Sequence, residues 1–360
     1  MKKTLLASAI AAVVMAAPMS ASANVVLYGK IHASIDYIDP NNDTYRVDEL
    51  FDDVFDSNGT WSITNRSSRI GFKGSEDLGN GLKAIWKAET TYNLDNGGWG
   101  SGRNAYIGLA GDWGTVLMGK HDTPLKISTG RLDVFADTMA DYNSTLGFVD
   151  RRTSNTIAYI SPNWNGFSFA AAGVASEEYG DDLIGDGGYS LAAMYFNNGF
   201  YGSLAWEDTS DLGDGNIGLP VGAPGVPTTN QIFRVGLGYI MNAFTLGVVY
   251  ERQTLDSDLI ELNVGSSTDI NKWMVSGAYE FGNNKIKGYF GQYDPEDPII
   301  LSSSLDGWAI GWDHKLSVRT KVYALYADSD LGLHDVQFEN TDGVALFGAN
   351  GFSMGMVHTF

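Results

Sequence analysis

Residues 25–37 read VVLYGKIHASIDY. In an extended chain Val25, Leu27, Ile31, Ala33, Ile35 and Tyr37 fall on one side, and Tyr28, Lys30, His32, Ser34 and Asp36 on the other. A two-residue period held for 13 residues, apolar on one face and polar on the other, marks a β-strand between two different surroundings. A strand of about 9–11 residues crosses a bilayer at the tilt of a barrel, so this one is long enough.

The pattern recurs along the chain. GWAIGWDH sets Trp308, Ile310 and Trp312 opposite Gly307, Ala309, Gly311 and Asp313, and SVRTKVYALYA sets Val318, Val322, Ala324 and Tyr326 opposite Arg319, Lys321, Tyr323 and Leu325. KWMVSGAYEF aligns Trp273, Val275, Tyr279 and Phe281; IFRVGLGYI aligns Phe233, Val235, Leu237 and Tyr239. Aromatic residues near the segment ends suit the girdles of a membrane interface. Such segments fall at 24–37, 61–74, 81–92, 103–111, 113–121, 153–161, 166–175, 188–197, 200–208, 230–240, 243–254, 269–281, 284–293, 305–315, 318–328 and 350–360, sixteen in all. Their connections alternate between long and short, the longest at about 122–152, and all nine prolines lie in connections or near the N-terminus. A secreted sandwich would show shorter strands and an aliphatic core side. The expected class is all-β, a sixteen-stranded antiparallel transmembrane β-barrel.

The rest of the chain agrees. Forty-four glycines and 18 tyrosines are unusual for a helical enzyme, and the mean hydropathy of −0.12 hides a barrel whose two faces average out. Residues 1–23, MKKTLLASAIAAVVMAAPMSASA, have the lysines, short apolar run and small residues of a secretory signal peptide, which places the barrel domain at 24–360. That domain carries 21 Lys+Arg against 43 Asp+Glu, a formal charge of −22, which argues against nucleic acid as a partner. With no cysteine, disulfides and thiolate metal sites are excluded.

The stretches VVLYGKI (25–31), SSRIGFKGSEDLGNGLKAIWKAE (67–89), RNAYIGLAGDWGTVLMGKHDTP (103–124), HKLSVRTKVYALYA (314–327) and the terminal VHTF resemble the Gram-negative general porins, in particular the neisserial and proteobacterial branch. The resemblance implies a trimeric outer-membrane channel through which ions and small hydrophilic solutes diffuse passively, embedded in outer-membrane lipid. It implies that the long connection folds into the lumen as a constriction loop whose acids face a wall of arginines. By position the wall would be Arg69, Arg103 and Arg152, and the loop acids Asp133, Asp137 and Asp141. Family members usually have arginine where Lys120 stands, and the loop departs from the proline-phenylalanine-glycine motif of enteric members.

Alternation supports part of this. Ile70 and Phe72 take the apolar side, so Arg69 and Lys73 point inward, as Lys30 does in its own strand. Arginine facing lipid at the midplane would cost about 2–4 kcal/mol. Arg103 shares its side with Ala105, Ile107 and Leu109, so there the resemblance alone carries the assignment. Asp133, Asp137 and Asp141 repeat every fourth residue, the spacing of one face of a short helix, or of a plain solvated loop. The acid surplus predicts a cation-preferring pore, screened by salt.

Other signals are weaker. GDGNIG (213–218) matches a dinucleotide-binding spacing but sits in a Gly/Pro-rich loop with no helix to follow. The five histidines have no metal-binding spacing, and DELFDDVFD (48–56) lacks that of a calcium loop. No cofactor is called for, and no G-x-S-x-G motif suggests an enzyme. The alternatives are a sugar-selective channel using Tyr28, Tyr289 and Tyr323, or a barrel enzyme or adhesin. The terminal GFSMGMVHTF (351–360) should pair with the first strand, and Phe360, by the resemblance, is the label read by the barrel-assembly machinery.

Overall fold

The computed structural model describes residues 24–40, 59–175, 187–209, 228–257, 266–296, 304–333 and 348–360. The signal at 1–23, the acidic stretch 48–56, GDGNIG at 213–218 and His334 lie outside the described residues.

The first strands are β1 (Asn24–Pro40), β2 (Thr60–Asn65), β3 (Arg69–Gly79), β4 (Leu82–Asn93), β5 (Gly98–Gly111) and β6 (Gly114–Asp122). The long connection follows, and then β7 (Arg152–Ile160), β8 (Phe167–Val174), β9 (Tyr189–Asn197), β10 (Phe200–Asp208) and β11 (Thr228–Met241). The series ends with β12 (Phe244–Ser257), β13 (Ser266–Phe281), β14 (Asn284–Pro295), β15 (Leu305–Lys315), β16 (Thr320–Ser329) and β17 (Ala349–Thr359). Each is antiparallel to its neighbours, and β1 pairs with β17, so the sheet closes on itself.

Seventeen strands make sixteen staves. β2 and β3 lie end to end along one edge of β1, which pairs with β2 from Ala33 to Ile38 and with β3 from Asn24 to Lys30. The break is a bulge in which Ser67 adopts φ 52°. There the Arg66 amide donates to the His32 carbonyl, and Ser68 Oγ both accepts from the His32 amide at 2.8 Å and donates to its carbonyl at 3.0 Å. The expected single span at 61–74 is therefore one stave with a kink, its backbone groups satisfied locally.

The barrel is inside out relative to a soluble fold. Along β15 burial alternates without exception from Leu305 to Asp313, and the exposed set is Asp306, Trp308, Ile310 and Trp312. Elsewhere Leu237, Leu246 and Val275 are exposed while Arg234, Glu251 and Lys272 are fully buried. Apolar atoms outside and charges inside are stable only where the outside is hydrocarbon. Tight turns such as Asn80–Gly81 (φ 53° and 78°) and Asn198–Gly199 (φ 49° and 83°) place both central residues in the left-handed region, as the twist of a two-residue hairpin requires. Near that end of the barrel, aromatic pairs such as Phe200–Tyr239 and Phe244–Tyr279, with ring centroids 5.1 and 4.8 Å apart, form a girdle.

The connection from β6 to β7 turns into the lumen. It holds two short helices, α1 (Pro124–Thr129), capped by Thr123, and α2 (Tyr142–Thr145), capped by Asp141. Its Leu132, Phe135, Met139 and Leu146 are fully buried against the inner wall. They fit there because the wall is glycine at those points. A methyl group on Gly238 would come within 2.6 Å of Leu132, on Gly291 within 2.6 Å of Leu146, and on Gly311 within 2.8 Å of Phe135. Each such burial is worth about 1.5–3 kcal/mol. The loop thus lies against β8–β17 and leaves the passage on the side of β1–β7.

The seam closes at Gly29, whose amide donates to the Phe360 carbonyl at 3.2 Å while the Phe360 amide donates back at 3.1 Å. A side chain at Gly29 would meet Phe360 Cζ at 2.4 Å. Gly29→Val is therefore expected to lower the temperature at which the folded band is lost on semi-native gels. Gly102→Ala, where nothing lies within 4 Å, should leave it unchanged.

Candidate functional site

The passage is bounded on one side by strands that carry cations inward. Lys30 on β1 and Arg69 on β3 are direct cross-strand partners. Two like charges so placed repel unless an anion lies between them. Asp137, at the tip of the inward loop, is that anion, with Oδ2 2.5 Å from Lys30 Nζ and 3.3 Å from Arg69 Nη1. Its backbone sits at φ 62°, a region uncommon for residues other than glycine but open to aspartate. Local strain is thus accepted where the carboxylate reaches across the lumen. Burial alone would raise this carboxyl, but Lys30 and Arg69 hold it well below the usual carboxylate range.

Further along the wall Glu89 on β4 is surrounded by donors: Tyr28 OH at 2.7 Å, Arg103 Nε at 2.8 Å and Lys87 Nζ at 3.3 Å. Arg152 on β7 reaches Asp122 at 2.8 Å and Asn104 at 2.9 Å. Between wall and loop lies a cavity of about 340 Å³ lined by five basic residues (Arg66, Arg69, Arg103, Lys126, Arg152) and five acids (Asp122, Asp133, Asp137, Asp141, Asp150). All three expected arginines and all three expected loop acids line it together.

The route to this convergence differs from the expectation in two places. No helix carries Asp133, Asp137 and Asp141: residues 130–141 are turns, held by the acids themselves. Asp133 accepts from the Phe135 amide at 2.8 Å, and Asp141 from the amides of Asp137 at 2.8 Å and Asn143 at 3.2 Å. Such bonds from aspartate to nearby backbone compete with helix formation. Arg103, in turn, escapes the lipid-facing parity of Ala105 and Ile107 through a bulge. Ala88 pairs with Ala105 but Thr90 with Gly102, so β5 holds one residue more than β4 in that interval. A similar slip between β6 and β7 spans Asn155, at φ 52°, just after Arg152. Bulges re-aim side chains, and the arginines beside both line the cavity.

Lys73 lies 5.2 Å over the Tyr28 ring, on the wall but not on the cavity, and Lys120 is not among the cavity residues either. Tyr289 and Tyr323 are buried, hydrogen-bonded to Thr145 and His32, so neither offers a face to a sugar. The residues missed from the sequence are Arg66, Glu89, Asp122, Lys126, Asp150 and the rear set Arg234, Glu251 and Lys272. The alternation did carry a signal for the rear set, since Phe233, Tyr250 and Trp273 beside them face out.

A closed barrel with an apolar outside and a charged, half-filled lumen is a transmembrane pore. The Gram-negative porin family model matches residues 7–332, and the chain belongs to that family. It is 28% identical over 354 residues to the major outer membrane protein P.IB of Neisseria meningitidis serogroup B, covering 95% of this chain and 98% of that one. It is 30% identical to the P.IB protein of Neisseria gonorrhoeae over 338 residues, 89% of this chain and 91% of the relative. Among solved structures it resembles an anion-selective porin from Comamonas acidovorans, with TM-score 0.75, 21% identity, and coverage of 94% of this chain and all of that one. A trimer form of OmpT from Vibrio cholerae matches with TM-score 0.63 and 17% identity over 94% of this chain and all of that one. The protein is an outer-membrane general diffusion channel.

Burial pushes the Asp141 carboxyl up to about 6, with Asp150 and Asp137 adding to the rise against the amides it accepts. Asp133 is raised well above its ordinary value by burial and by Asp141, so the two titrate as a pair. A raised carboxyl is neutral below its pKa and charged above it. Lowering the pH from 7.5 to 5 should therefore move the reversal potential toward anions as this pair takes up protons. Asp141→Asn should flatten that shift.

Proposed function

We propose that the gap spanned by Asp137, Lys30 and Arg69 is the pore's selectivity constriction and that the channel prefers cations at low ionic strength. The observation that carries the proposal is the Asp137 carboxylate held 2.5 Å from Lys30 across the lumen, beside a cavity lined by equal numbers of acids and bases. Opposed charges on facing walls make a transverse field that orients water and small polar solutes while excluding bulky or apolar ones. Arg69, Arg103 and Arg152 supply the positive side, and Asp133, Asp137 and Asp141 the negative.

The equal lining makes the constriction itself a weak discriminator of sign. The acid surplus lies elsewhere. The connections 41–58, 176–186, 210–227, 258–265, 297–303 and 334–347 carry 19 Asp+Glu and one arginine. Charges act through solution over about 30 Å at 0.01 M salt but only about 3 Å at 1 M. Cation preference should therefore be clear in a dilute gradient and fade toward neutrality in molar salt.

The channel works as a homotrimer, a state found among the family's solved structures, and performs no catalysis. Reconstitution in planar bilayers tests the proposal: conductance should appear in steps of three, with a reversal potential of cation sign near 0.01 M. An anionic sign at that salt would overturn the preference, and single independent steps would overturn the trimer. Phe360, seated on the seam, serves as the residue the assembly machinery engages. Phe360→Ala should lower the amount of protein in the outer membrane while leaving the conductance of refolded channels unchanged.

A further inference from the structure

Behind the loop, on the side away from the passage, three adjacent strands carry a ladder of alternating charge. Arg234 on β11 pairs in register with Glu251 on β12, and Glu251 with Lys272 on β13. All three side chains are buried to 1% exposure or less. Their mutual contacts are close: Arg234 Nε to Glu251 Oε2 at 2.7 Å, and Lys272 Nζ to Glu251 Oε1 at 2.9 Å.

The donors left over go to the loop, and to both of its limbs. On the outgoing limb Arg234 Nη1 reaches Thr129 Oγ1 at 3.0 Å and the Leu125 carbonyl at 3.5 Å. On the returning limb the same guanidinium reaches Asp150 Oδ1 at 2.9 Å and the Val149 carbonyl at 2.5 Å. Lys272 Nζ donates to the Gly147 carbonyl at 2.6 Å, and the Val149 amide donates to Glu251 Oε1 at 3.3 Å. Polar main-chain groups of Gly147 and Val149 are thereby satisfied by wall side chains rather than by regular secondary structure.

We propose that Arg234, Glu251 and Lys272 are the positioning residues of the constriction, a latch that sets the bore by fixing both limbs of the loop to the wall opposite the passage. The barrel does not need the latch to close, because its staves are joined by main-chain ladders that run past these side chains on either side. The loop does need it. Its apolar side chains resist leaving the wall but, being non-directional, do not fix where along the wall the loop sits. A planar guanidinium with five donors can hold two limbs at a fixed spacing, which an ammonium cannot.

The test uses the full-length protein, refolded and reconstituted in planar bilayers and in liposomes. Arg234→Met should raise single-channel conductance on the order of twofold, increase open-channel noise, and admit larger oligosaccharides in liposome swelling, as a wider and less steady bore would. Arg234→Lys should rescue only part of each change. Lys272→Met, which on the loop frees only the Gly147 carbonyl and on the wall loses Glu251 and Gln253, should raise the noise by less. The folded band of each variant on semi-native gels reports the barrel separately from the bore. Folded Arg234→Met and Lys272→Met channels with wild-type conductance, noise and size cutoff would overturn the proposal. If Arg234→Met does not fold, an unchanged Lys272→Met channel would overturn it alone.

Discussion

Hydrocarbon has no hydrogen-bonding partner for an amide, so every backbone group of a spanning strand must be paired with another strand. Everything else in this molecule depends on that constraint. It forces the sheet to close, which is why β1 takes β17 on one edge and β2 with β3 on the other. It also frees the side chains from holding the barrel together. The lumen wall can then carry Arg234, Glu251 and Lys272 in one sector and Lys30, Arg69 and Glu89 in another without weakening closure.

The long connection exploits that freedom through two unlike faces. Its apolar residues settle into recesses where the wall is glycine, and its acids face the passage. Glycine in a strand interior weakens the strand, but at Gly238, Gly291 and Gly311 the missing side chain is the room into which Leu132, Leu146 and Phe135 pack. The loop is therefore pressed to one side of the lumen, and the aqueous path is off-centre. Asp137 then needs a left-handed backbone to turn back across the path toward Lys30.

How much of this was legible follows from what each rule can see. Alternation sees which face a residue takes, so the staves, the inward aim of Lys30 and Arg69, and the closing partnership of the terminal strands could all be read. It fails where the period slips. The bulge at Ser67 splits one expected span into β2 and β3, and the extra residue between Gly102 and Ala105 turns Arg103 inward against its parity. Spacing misled more seriously at Asp133, Asp137 and Asp141. Three aspartates four apart suggest a helical face, yet aspartate is also the side chain most able to bind nearby amides, and here that local bonding prevails. Cross-lumen partners such as Asp137 with Lys30, 107 residues apart, leave no periodic trace at all.

Net charge is the least local of these quantities, and it misplaces the acids. Residues 24–360 hold 22 more acids than bases, but the described residues hold 24 Asp+Glu against 20 Lys+Arg, a surplus of four. The cavity between wall and loop is lined by five acids and five bases. Matched charge is not the same as no charge. A neutral lining of serine and glycine would present no field, whereas interleaved cations and carboxylates present a strong one with little net attraction for either ion. A bore of that kind would sort solutes by size, dipole and hydration more than by sign, which is what general diffusion of small hydrophilic solutes requires.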